Sequence, residues 1–589
     1  MTTANKSRAW FFPTSPRSPH KIQGELRLLK SLEGSPWNEH TQIRFADLLR
    51  DSDDFFGSIS KHDPAFSARD RASRAPKLLG FVHLPKRGAR GDLQFTEVGN
   101  AFLEASVDEQ PLIFQRQIAK VQFSSPLHSS GGFELMSIRP LMLMIRLVAE
   151  LKTMSKEEIA LFGLTVINHR HIPERIACIQ QYRSELSQMD VNTRKEHRKS
   201  YAENWIRKIY RQDIRLGNIK LREGGDDFVK TKYDTLRDYS DSTIRYLRAT
   251  GLFTVSPHGQ RLTLINSSRP DADFLLAKYG CGPFKTQIVD YDSYVREYLG
   301  NPSLPEIWKD DEIRQSSDVK RMVNLLSDSD PEIAADLHNN YVYANTRLDA
   351  LKSIGLLERH LTTVQVQNEA KSIKAGLTNS LDDIRLMFKT ITDRKSDVLD
   401  RPLMYEWNAW RSMVLINDAK NVIGYFRSDA DGNPVTVAGG KSPDILVEYA
   451  SFWLTVEVTL SRGSRQFETE GESISRHLGE LQRTLIDSGD PRPAFGIFVA
   501  EDVNDTIIGH LRALSRYRND WAKGSIRIIP MNRLQFEGLA AATVGQSDFD
   551  HTKLFAMFTK AFSKDALELG DADWLALVAQ FIERMLTNG

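Results

Sequence analysis

Four acidic residues between positions 406 and 470 have the spacing expected of a metal-dependent nuclease. Glu406 is followed by Asp444 in SPDILVEY, Glu457 in FWLTVEVTL and Glu470 in QFETEGES. Carboxylate oxygens suit Mg²⁺ or Mn²⁺, and Mg²⁺ typically takes only about one or two of them, its other ligands being water and phosphate. Such an ion lowers the pKa of a bound water and holds a scissile phosphate. The predicted chemistry is hydrolysis of a phosphodiester.

The elements around these acids must bring them together. The apolar runs of SPDILVEY and FWLTVEVTL, separated by the turn Ala450–Ser451, predict a β-hairpin. Because side chains alternate across a strand, Glu457 points away from the apolar face of its own strand. Two carboxylates about 4 Å apart repel by roughly 4 kcal/mol at an effective dielectric near 20, and a divalent ion reverses the sign. Asp444 and Glu457 are the predicted metal ligands; the alternative is a hairpin with scattered acids on its wet face.

The segments on either side of the hairpin predict a mixed sheet flanked by helices. Glu406 lies on a helix that Leu403 and two tryptophans would anchor at helical spacing, so that it can face the hairpin. Glu470 begins the helix after the hairpin, and His477 follows two turns later on nearly the same face. His477 could touch a phosphate or be a partly buried structural residue. Lys441, in the glycine-rich turn before the hairpin, is a further candidate cation.

Two stretches of the N-terminal half share a layout typical of a winged helix. Each has a basic helical stretch, a glycine, a short apolar strand (GFVHL or GLFTV), a polar turn and a second strand (LQFT or RLTL). Such a helix can lie in the major groove, where a guanidinium bonds two acceptors of guanine, while wing residues meet phosphates. The alternative is a packing module whose arginines form a solvated face. The candidate DNA-binding residues are Arg69, Arg71, Arg74 and Lys77 in the first stretch and Arg245 and Arg248 in the second.

Two further helical stretches allow more than one role. Ser155 and Glu158 form a capping box that predicts a helix start before IALFGLTVI, either as scaffold or as another helix-turn-helix. The stretch NTRKEHRKSYAENWIRKIYR mixes basic and aromatic residues. A helix of this composition could track phosphates with one side and pack with the other, or it could be an ordinary amphipathic surface helix.

The order Pro443-Asp444 and then Glu457-Val458-Thr459 resembles the PD-(D/E)xK nuclease superfamily, with Thr459 in the lysine position. With threonine in place of that lysine, the chain is similar to the AlwI-type family of type IIS restriction and nicking endonucleases. The resemblance extends along most of the chain, through blocks that occur in the same order. These blocks are SPRSPHKIQGEL, AFSARDR, KLLGFV, TIRYLRATGLF, YLGNPSLP, AGGKSPD, VEVTLSRGSRQFE and SRH.

The resemblance implies that Asp444 and Glu457 form the metal pair and that Glu406 and Glu470 are supporting acids. It also implies cleavage at a distance from the sequence that is read. The prediction is a site-specific DNA endonuclease of type IIS character, which hydrolyses a phosphodiester near an asymmetric sequence with Mg²⁺, for which Mn²⁺ can substitute. It would act as a strand nickase, or cut both strands with a second copy or a small nuclease subunit. The alternative is a sequence-specific DNA-binding protein with an inactive nuclease-like domain.

Composition limits the classes of protein that fit. A chain of 589 residues, 41% hydrophobic, predicts three or more domains. Net charge is only +1, with 78 basic and 77 acidic residues, so DNA contacts must come from local patches. Two cysteines, Cys178 and Cys281, provide neither a disulfide framework nor a cysteine-based zinc site. No signal peptide or membrane span is predicted, which favours a cytoplasmic protein without a membrane partner.

The predicted fold is multidomain α+β. Residues 1–300 form a DNA-recognition region with helical, winged-helix-like subdomains at about 1–135 and 136–300. Residues 301–395 form a helical linker, and residues 396–589 a C-terminal α/β restriction-endonuclease-like nuclease domain. The glycine and two prolines of YLGNPSLPEIW mark the end of the recognition region. The linker could instead be a helical subdomain packed on one neighbour.

Overall fold

The computed structural model describes residues 7–52, 59, 62–86, 88–216, 226–256, 259–284, 290–329, 347–393, 396–416, 418–438, 442–544 and 549–587. The chain forms two compact units, Met1–Arg359 and His360–Gly589. The predicted α+β composition is confirmed, whereas the three-part functional division stays a prediction. No helix within these ranges is both long and apolar enough to cross a membrane.

The first unit is mainly helical, and side-chain caps fix several of its helix starts. Asn38 and Asp63 accept hydrogen bonds from backbone N–H groups of the first turn. The predicted capping box of Ser155 and Glu158 is confirmed. The helices are α1 (Ile22–Lys30), α2 (Glu39–Arg50), α3 (Pro64–Ser73), α4 (Ala75–Leu78), α5 (Glu97–Glu104), α6 (Gln110–Lys120), α7 (Pro140–Leu151), α8 (Lys156–Glu158), α9 (Ile172–Ser187), α10 (Val191–Ile209), α11 (Arg211–Arg215), α12 (Asp226–Ala249), α13 (Arg269–Tyr279), α14 (Tyr291–Ser293), α15 (Glu312–Ser329) and α16 (Arg347–Ala375), which continues past Arg359.

Two small antiparallel sheets in this unit follow basic helices. Strand β1 (Val82–His83) pairs with β2 (Gln94–Phe95) after α4. After α12, β4 (Phe253–Val255) pairs with β5 (Arg261–Leu264), which also pairs with β3 (Met154–Ser155). Gly80 and Gly251 make the turn from helix to strand, with φ of +71° and +69°, a backbone conformation that other residues rarely adopt. The predicted order of helix, glycine, strand and strand is confirmed in both stretches.

The second unit builds one mixed sheet in the order β12-β11-β10-β9-β6. Strands β6, β9 and β10 pair antiparallel, and β10, β11 and β12 pair parallel. The mixed sheet predicted for this region is therefore confirmed. Its strands are β6 (Asn421–Gly424), β9 (Ile445–Glu448), β10 (Trp453–Thr459), β11 (Ala494–Ala500) and β12 (Ile528–Asn532), with a separate pair β7 (Arg427–Ser428) and β8 (Pro434–Thr436).

Helices cover this sheet, so its central strands are buried on both faces. Every residue of β11 is buried, as expected of a parallel strand between helix layers. Ile474 and Leu478 pack with Phe498 and Ile528 in one core cluster, and burying each such side chain contributes roughly 1.5–3 kcal/mol. The helices of the unit after α16 are α17 (Leu377–Thr392), α18 (Arg401–Leu415), α19 (Arg465–Ser488), α20 (Asp505–Arg516), α21 (Arg533–Val544), α22 (His551–Ala561), α23 (Lys564–Glu568) and α24 (Asp571–Thr587).

Candidate active site

The predicted hairpin is confirmed, and it places Asp444 beside Glu457. Strands β9 and β10 pair antiparallel with Ile445 opposite Val456. Continuing this register by one residue puts Asp444 opposite Glu457. The backbone N–H of Val458 donates to Asp444 Oδ2 at 2.8 Å, which holds the carboxylate at the open end of the hairpin. Asp444 is half-buried and Glu457 is buried.

Glu406 approaches this pair from helix α18. Leu403, Trp407 and Trp410 are buried and anchor the helix, as their spacing predicted. The Glu406 side chain is itself buried and accepts a hydrogen bond from the backbone N–H of Ala438 at 3.1 Å. The helix thus holds a carboxylate against the segment that leads into the hairpin.

Glu470 is held by Thr459, the residue that the motif resemblance places in the lysine position. Helix α19 begins at Arg465 rather than at Glu470, so Glu470 lies in the second turn of the helix. The Thr459 hydroxyl donates to Glu470 Oε1 at 2.9 Å, and the backbone N–H of Ser461 donates to the same hydroxyl at 3.0 Å. Thr459 therefore orients a carboxylate in place of carrying a charge.

His477 lies behind Glu457. Its Nδ1 is 2.8 Å from Glu457 Oε1, and the side chain is buried. This contact gives His477 a positioning role, and contact with a phosphate stays a prediction. Arg476 precedes it on α19 and pairs with Glu472 at 2.9 Å. Lys441 lies outside the described residues.

The pKa of each of the four carboxyls is raised above its ordinary value. Burial is the first cause for all of them. The charge of Glu457 further raises the pKa of Asp444, and the charge of Asp444 that of Glu406. Burial and the charge of Glu470 raise the pKa of Glu457 despite the opposing charge of Arg476. Acids that raise one another's pKa in a buried place are typical of cation-binding and acid-base sites.

The oxygen atoms of this cluster suit a hard divalent cation. Each of three carboxylates bonds a neighbour through one oxygen: Glu406 through Oε2, Asp444 through Oδ2 and Glu470 through Oε1. In the described part of the chain the other oxygen of each has no hydrogen-bond partner. Within the same ranges no three His, Cys, Asp or Glu side chains form a closed metal-binding group. Mg²⁺ typically needs only about one or two protein carboxylates. The residues fit a Mg²⁺ ion that shares its shell with water and phosphate.

Comparison of the sequence with known protein families adds to this geometry. The model of the AlwI restriction endonuclease family matches residues 77–539, well over half of the 589 residues. The chain belongs to the AlwI restriction endonuclease family. Restriction endonucleases cleave DNA, so DNA is the substrate of this AlwI-family protein. The matched range contains all four acids and His477, which confirms the family resemblance stated from the motifs.

Two solved restriction endonucleases are similar to the AlwI-family chain. The small subunit of the heterodimeric restriction endonuclease R.BspD6I is 25% identical, with 34% of this chain and 97% of that chain covered and a TM-score of 0.28. The restriction endonuclease FokI is 10% identical, with 94% of this chain and 99% of that chain covered and a TM-score of 0.24. Comparison with curated proteins gives no match. The family match alone carries the assignment.

The candidate DNA-binding residues around α3 and α4 lie in different environments. Arg69 and Arg74 are exposed. Arg71 forms an ion pair with the buried Glu25 at 2.5 Å. Lys77 is half-buried, and burial lowers its pKa. Arg69 and Arg74 are thus the exposed members of this group, although Arg74 also pairs with Asp70 at 2.5 Å and donates to the Thr14 hydroxyl at 3.1 Å.

The two candidates on α12 face the interior of the first unit. Arg245 pairs with Asp241 at 3.3 Å, and Arg248 is only 4% exposed. Both side chains therefore contribute to packing within the first unit of the AlwI-family protein, and they do not form the solvated face that the alternative described. Their contact with DNA stays a prediction.

Two features of the site had not been inferred from sequence. The bond between Thr459 and Glu470 had a signal, because Thr459 is two residues after Glu457 and so lies on the same face of β10. The charge of Arg476 near Glu457 had none, because it depends on how α19 packs against the sheet. The sequence shows only that Arg476 is next to His477.

Proposed function

We propose that this AlwI-family protein is a Mg²⁺-dependent endonuclease of type IIS character that nicks one strand of duplex DNA near an asymmetric recognition sequence. The observation that carries the proposal is the cluster of Glu406, Asp444, Glu457 and Glu470, in which every carboxyl has a raised pKa. A purely structural cluster would pair its acids with bases, and here the described partners of the acids are mainly hydroxyl and backbone N–H donors.

Asp444 and Glu457 are the residues that would hold Mg²⁺, or Mn²⁺ in its place. A bound ion of this kind holds a phosphate oxygen, offsets developing charge and lowers the pKa of water. Hydrogen bonds from the Val458 N–H and from His477 fix the two carboxylates in orientation before substrate arrives. Metal ligands oriented in this way need no rearrangement on binding.

Glu470 is the proposed acceptor of the proton of the attacking water. Its pKa is raised by burial despite hydrogen bonds from Thr459 and Thr469, which makes it a stronger proton acceptor than an ordinary carboxylate. Thr459 fixes Oε1 of Glu470, which leaves Oε2 as the oxygen that would accept the proton. Glu406, held by the N–H of Ala438, supports the water or a second ion.

Recognition of DNA is assigned to the first unit. Its two helix-strand-strand modules have the element order of a winged helix, in which the helix reads base edges and the strands approach the backbone. The exposed Arg69 and Arg74 are the preferred candidates for the first module. Separation of reading from cleavage along the chain is what type IIS cutting requires.

One cluster of catalytic acids hydrolyses one strand at a time, so nicking is the minimal activity. Cutting of both strands then requires a second copy of the chain or a small nuclease subunit. Purified protein incubated with plasmid and Mg²⁺, beside an EDTA control, tests the proposal. Open-circular product supports a nickase, and linear product supports a double-strand cutter.

Run-off sequencing of the nicked product would give both the recognised sequence and the offset of the cut. A product nicked at one fixed distance from one short sequence is the expected result. Plasmid that is bound at a specific site and remains supercoiled with Mg²⁺ and with Mn²⁺ would contradict the proposal. The protein would then be a sequence-specific DNA-binding protein with an inactive nuclease-like domain.

A further inference from the structure

An arginine-lined pocket lies in the first unit. It has a volume of about 380 Å³ and is formed by α8, strand β5, the end of α9 and the first half of α10. Four arginines and two glutamates line it, which leaves an excess of two positive charges. These residues are Arg183, Arg194, Arg198, Arg261, Glu157 and Glu158.

Two of the arginines neutralise Glu158. Arg183 donates to both carboxylate oxygens, at 2.7 and 2.9 Å, and Arg261 donates to Oε2 at 3.0 Å. Burial acts to raise the pKa of Glu158, but the hydrogen bonds from Arg183 and the charge of Arg261 hold it below its ordinary value. This group is a satisfied ion pair that forms the wall of the pocket.

Glu157 is largely covered by tyrosines. The hydroxyls of Tyr182 and Tyr233 donate to its two oxygens at 3.0 and 2.9 Å. Arg198 approaches the same carboxylate at 3.7 Å, and 42% of the Arg198 side chain is exposed. Because of this exposure, the guanidinium of Arg198 can also donate to an anion bound in the pocket that it lines.

Arg194 has no carboxylate within ion-pair distance among the described residues. Within the described ranges its guanidinium donates only to main-chain carbonyls, those of Leu186 at 3.0 Å and Met189 at 2.9 Å, where α9 ends. A cation suits the negative end of a helix, but two carbonyls do not neutralise a full charge. Arg194 and Arg198 are one turn apart on α10, so both can face a single ligand.

We propose that this pocket binds a phosphate group through Arg194 and Arg198. Guanidinium forks match pairs of phosphate oxygens, and such charge-assisted bonds are the strong ones. Strand β5, which carries Arg261, belongs to the second helix-strand-strand module, so a phosphate of the DNA backbone is one source. For that source the inference rests on the proposed function. A mononucleotide is the other source with the same chemistry.

The test compares two double variants on the same helix. Arg194→Gln/Arg198→Gln removes both pocket charges, and Lys195→Gln/Lys199→Gln removes the exposed charges next to them. Duplex affinity is measured by fluorescence anisotropy over a salt series without divalent metal. For a DNA phosphate, the arginine variant should bind about tenfold more weakly and lose about one unit of the log-log salt slope. The lysine variant should keep the wild-type slope.

A second arm measures melting temperature with inorganic phosphate or a mononucleotide. Stabilisation of wild type that the arginine variant lacks, with unchanged duplex affinity, supports the mononucleotide source. If the arginine variant kept the wild-type salt slope and neither ligand stabilised the wild-type protein, the proposal of a phosphate-binding pocket would be overturned. The melting measurement does not depend on cleavage of DNA. Failure of the proposed nuclease function can therefore be distinguished from failure of the pocket proposal. Should the double variant not fold, Arg198→Gln alone preserves the bonds of Arg194 at the end of α9, and Arg198→Lys should restore binding.

Discussion

Acids in the two units of this molecule have opposite electrostatic surroundings. In the first unit Glu158 is enclosed by Arg183 and Arg261, and these partners hold its pKa below the ordinary value although burial acts to raise it. In the second unit Asp444 and Glu457 face each other, and burial raises the pKa of both, with further increases from the charge of Glu457 on Asp444 and of Glu470 on Glu457. The described contacts of Glu158 neutralise its charge, whereas those of Asp444 and Glu457 do not neutralise theirs.

The difference teaches how a structural acid can be told from a functional one. A buried carboxylate is tolerated when paired, because its partners replace the water it loses. A chain that keeps several carboxylates together without such partners gives up stability for a site that a cation and a substrate complete. The restriction endonuclease family match agrees with that distinction in the second unit.

The largest expected effect is loss of cleavage in Asp444→Asn. Losing a ligand of the proposed catalytic ion should remove several kcal/mol of transition-state stabilisation, which corresponds to a rate decrease on the order of 10³-fold or more. DNA binding should be unchanged, since recognition is assigned to the first unit. Plasmid nicking rates and duplex affinity measured side by side test this.

A matched control is Asp490→Asn, in which an acid of the same unit pairs with Arg492. It should retain nicking, because that carboxylate already has its cation. If Asp444→Asn nicked DNA at the wild-type rate, the acids of the second unit would be structural, and the contrast with Glu158 would disappear.

The next largest effect is loss of stability in Glu158→Gln. Removing one member of a buried ion pair leaves its partners uncompensated, at a cost of about 3 kcal/mol in the free energy of unfolding. The side chain of Glu158 is only 5% exposed, so solvent screening is weak. Urea unfolding of the variant measures the change. A loss near zero would mean that the arginines find other partners, and Glu150→Gln, whose pair with Arg146 is exposed, serves as the control.

The local part of the site could be predicted from sequence. Alternating apolar residues and a short turn identified the hairpin, and helical spacing of Leu403, Trp407 and Trp410 identified the helix that carries Glu406. Both signals depend only on neighbours in the chain, through the periods of strands and helices. The same holds for the capping box of Ser155 and Glu158.

Contacts between distant segments could not be predicted in this way. Arg71 was a candidate for DNA contact, and its pairing with Glu25 depends on how α3 packs against α1. Arg248 is buried because of the face that α12 presents to the first unit. Composition and periodicity place a charge on a helix, but only packing decides whether it meets a carboxylate or solvent.

A smaller effect on cleavage is expected for His477→Ala. Residues that orient metal ligands typically contribute about 10–100-fold in metal affinity or activity. Because His477 bonds Glu457 Oε1 at 2.8 Å, its loss should raise the Mg²⁺ concentration needed for half-maximal nicking more than it lowers the rate at saturating Mg²⁺. His477→Asn, which can keep a donor near the Nδ1 position, should restore part of the metal affinity. An unchanged Mg²⁺ requirement in the alanine variant would limit His477 to packing.

The smallest effect is on the pH dependence of stability without metal. Because the pKa of Asp444 is raised on folding, the folded state holds its proton more tightly, and stability falls as pH rises from the ordinary carboxyl pKa towards the raised value. Asp444→Asn should therefore melt higher than wild type in EDTA, by about 2–4 °C for each kcal/mol of repulsion removed. The difference should grow as pH rises above about 3.9, the ordinary pKa of an aspartate, because the wild-type carboxyls then ionise. Calorimetry at several pH values gives both curves, and a difference that shrinks with rising pH would show that these carboxylates are paired after all, like Glu158.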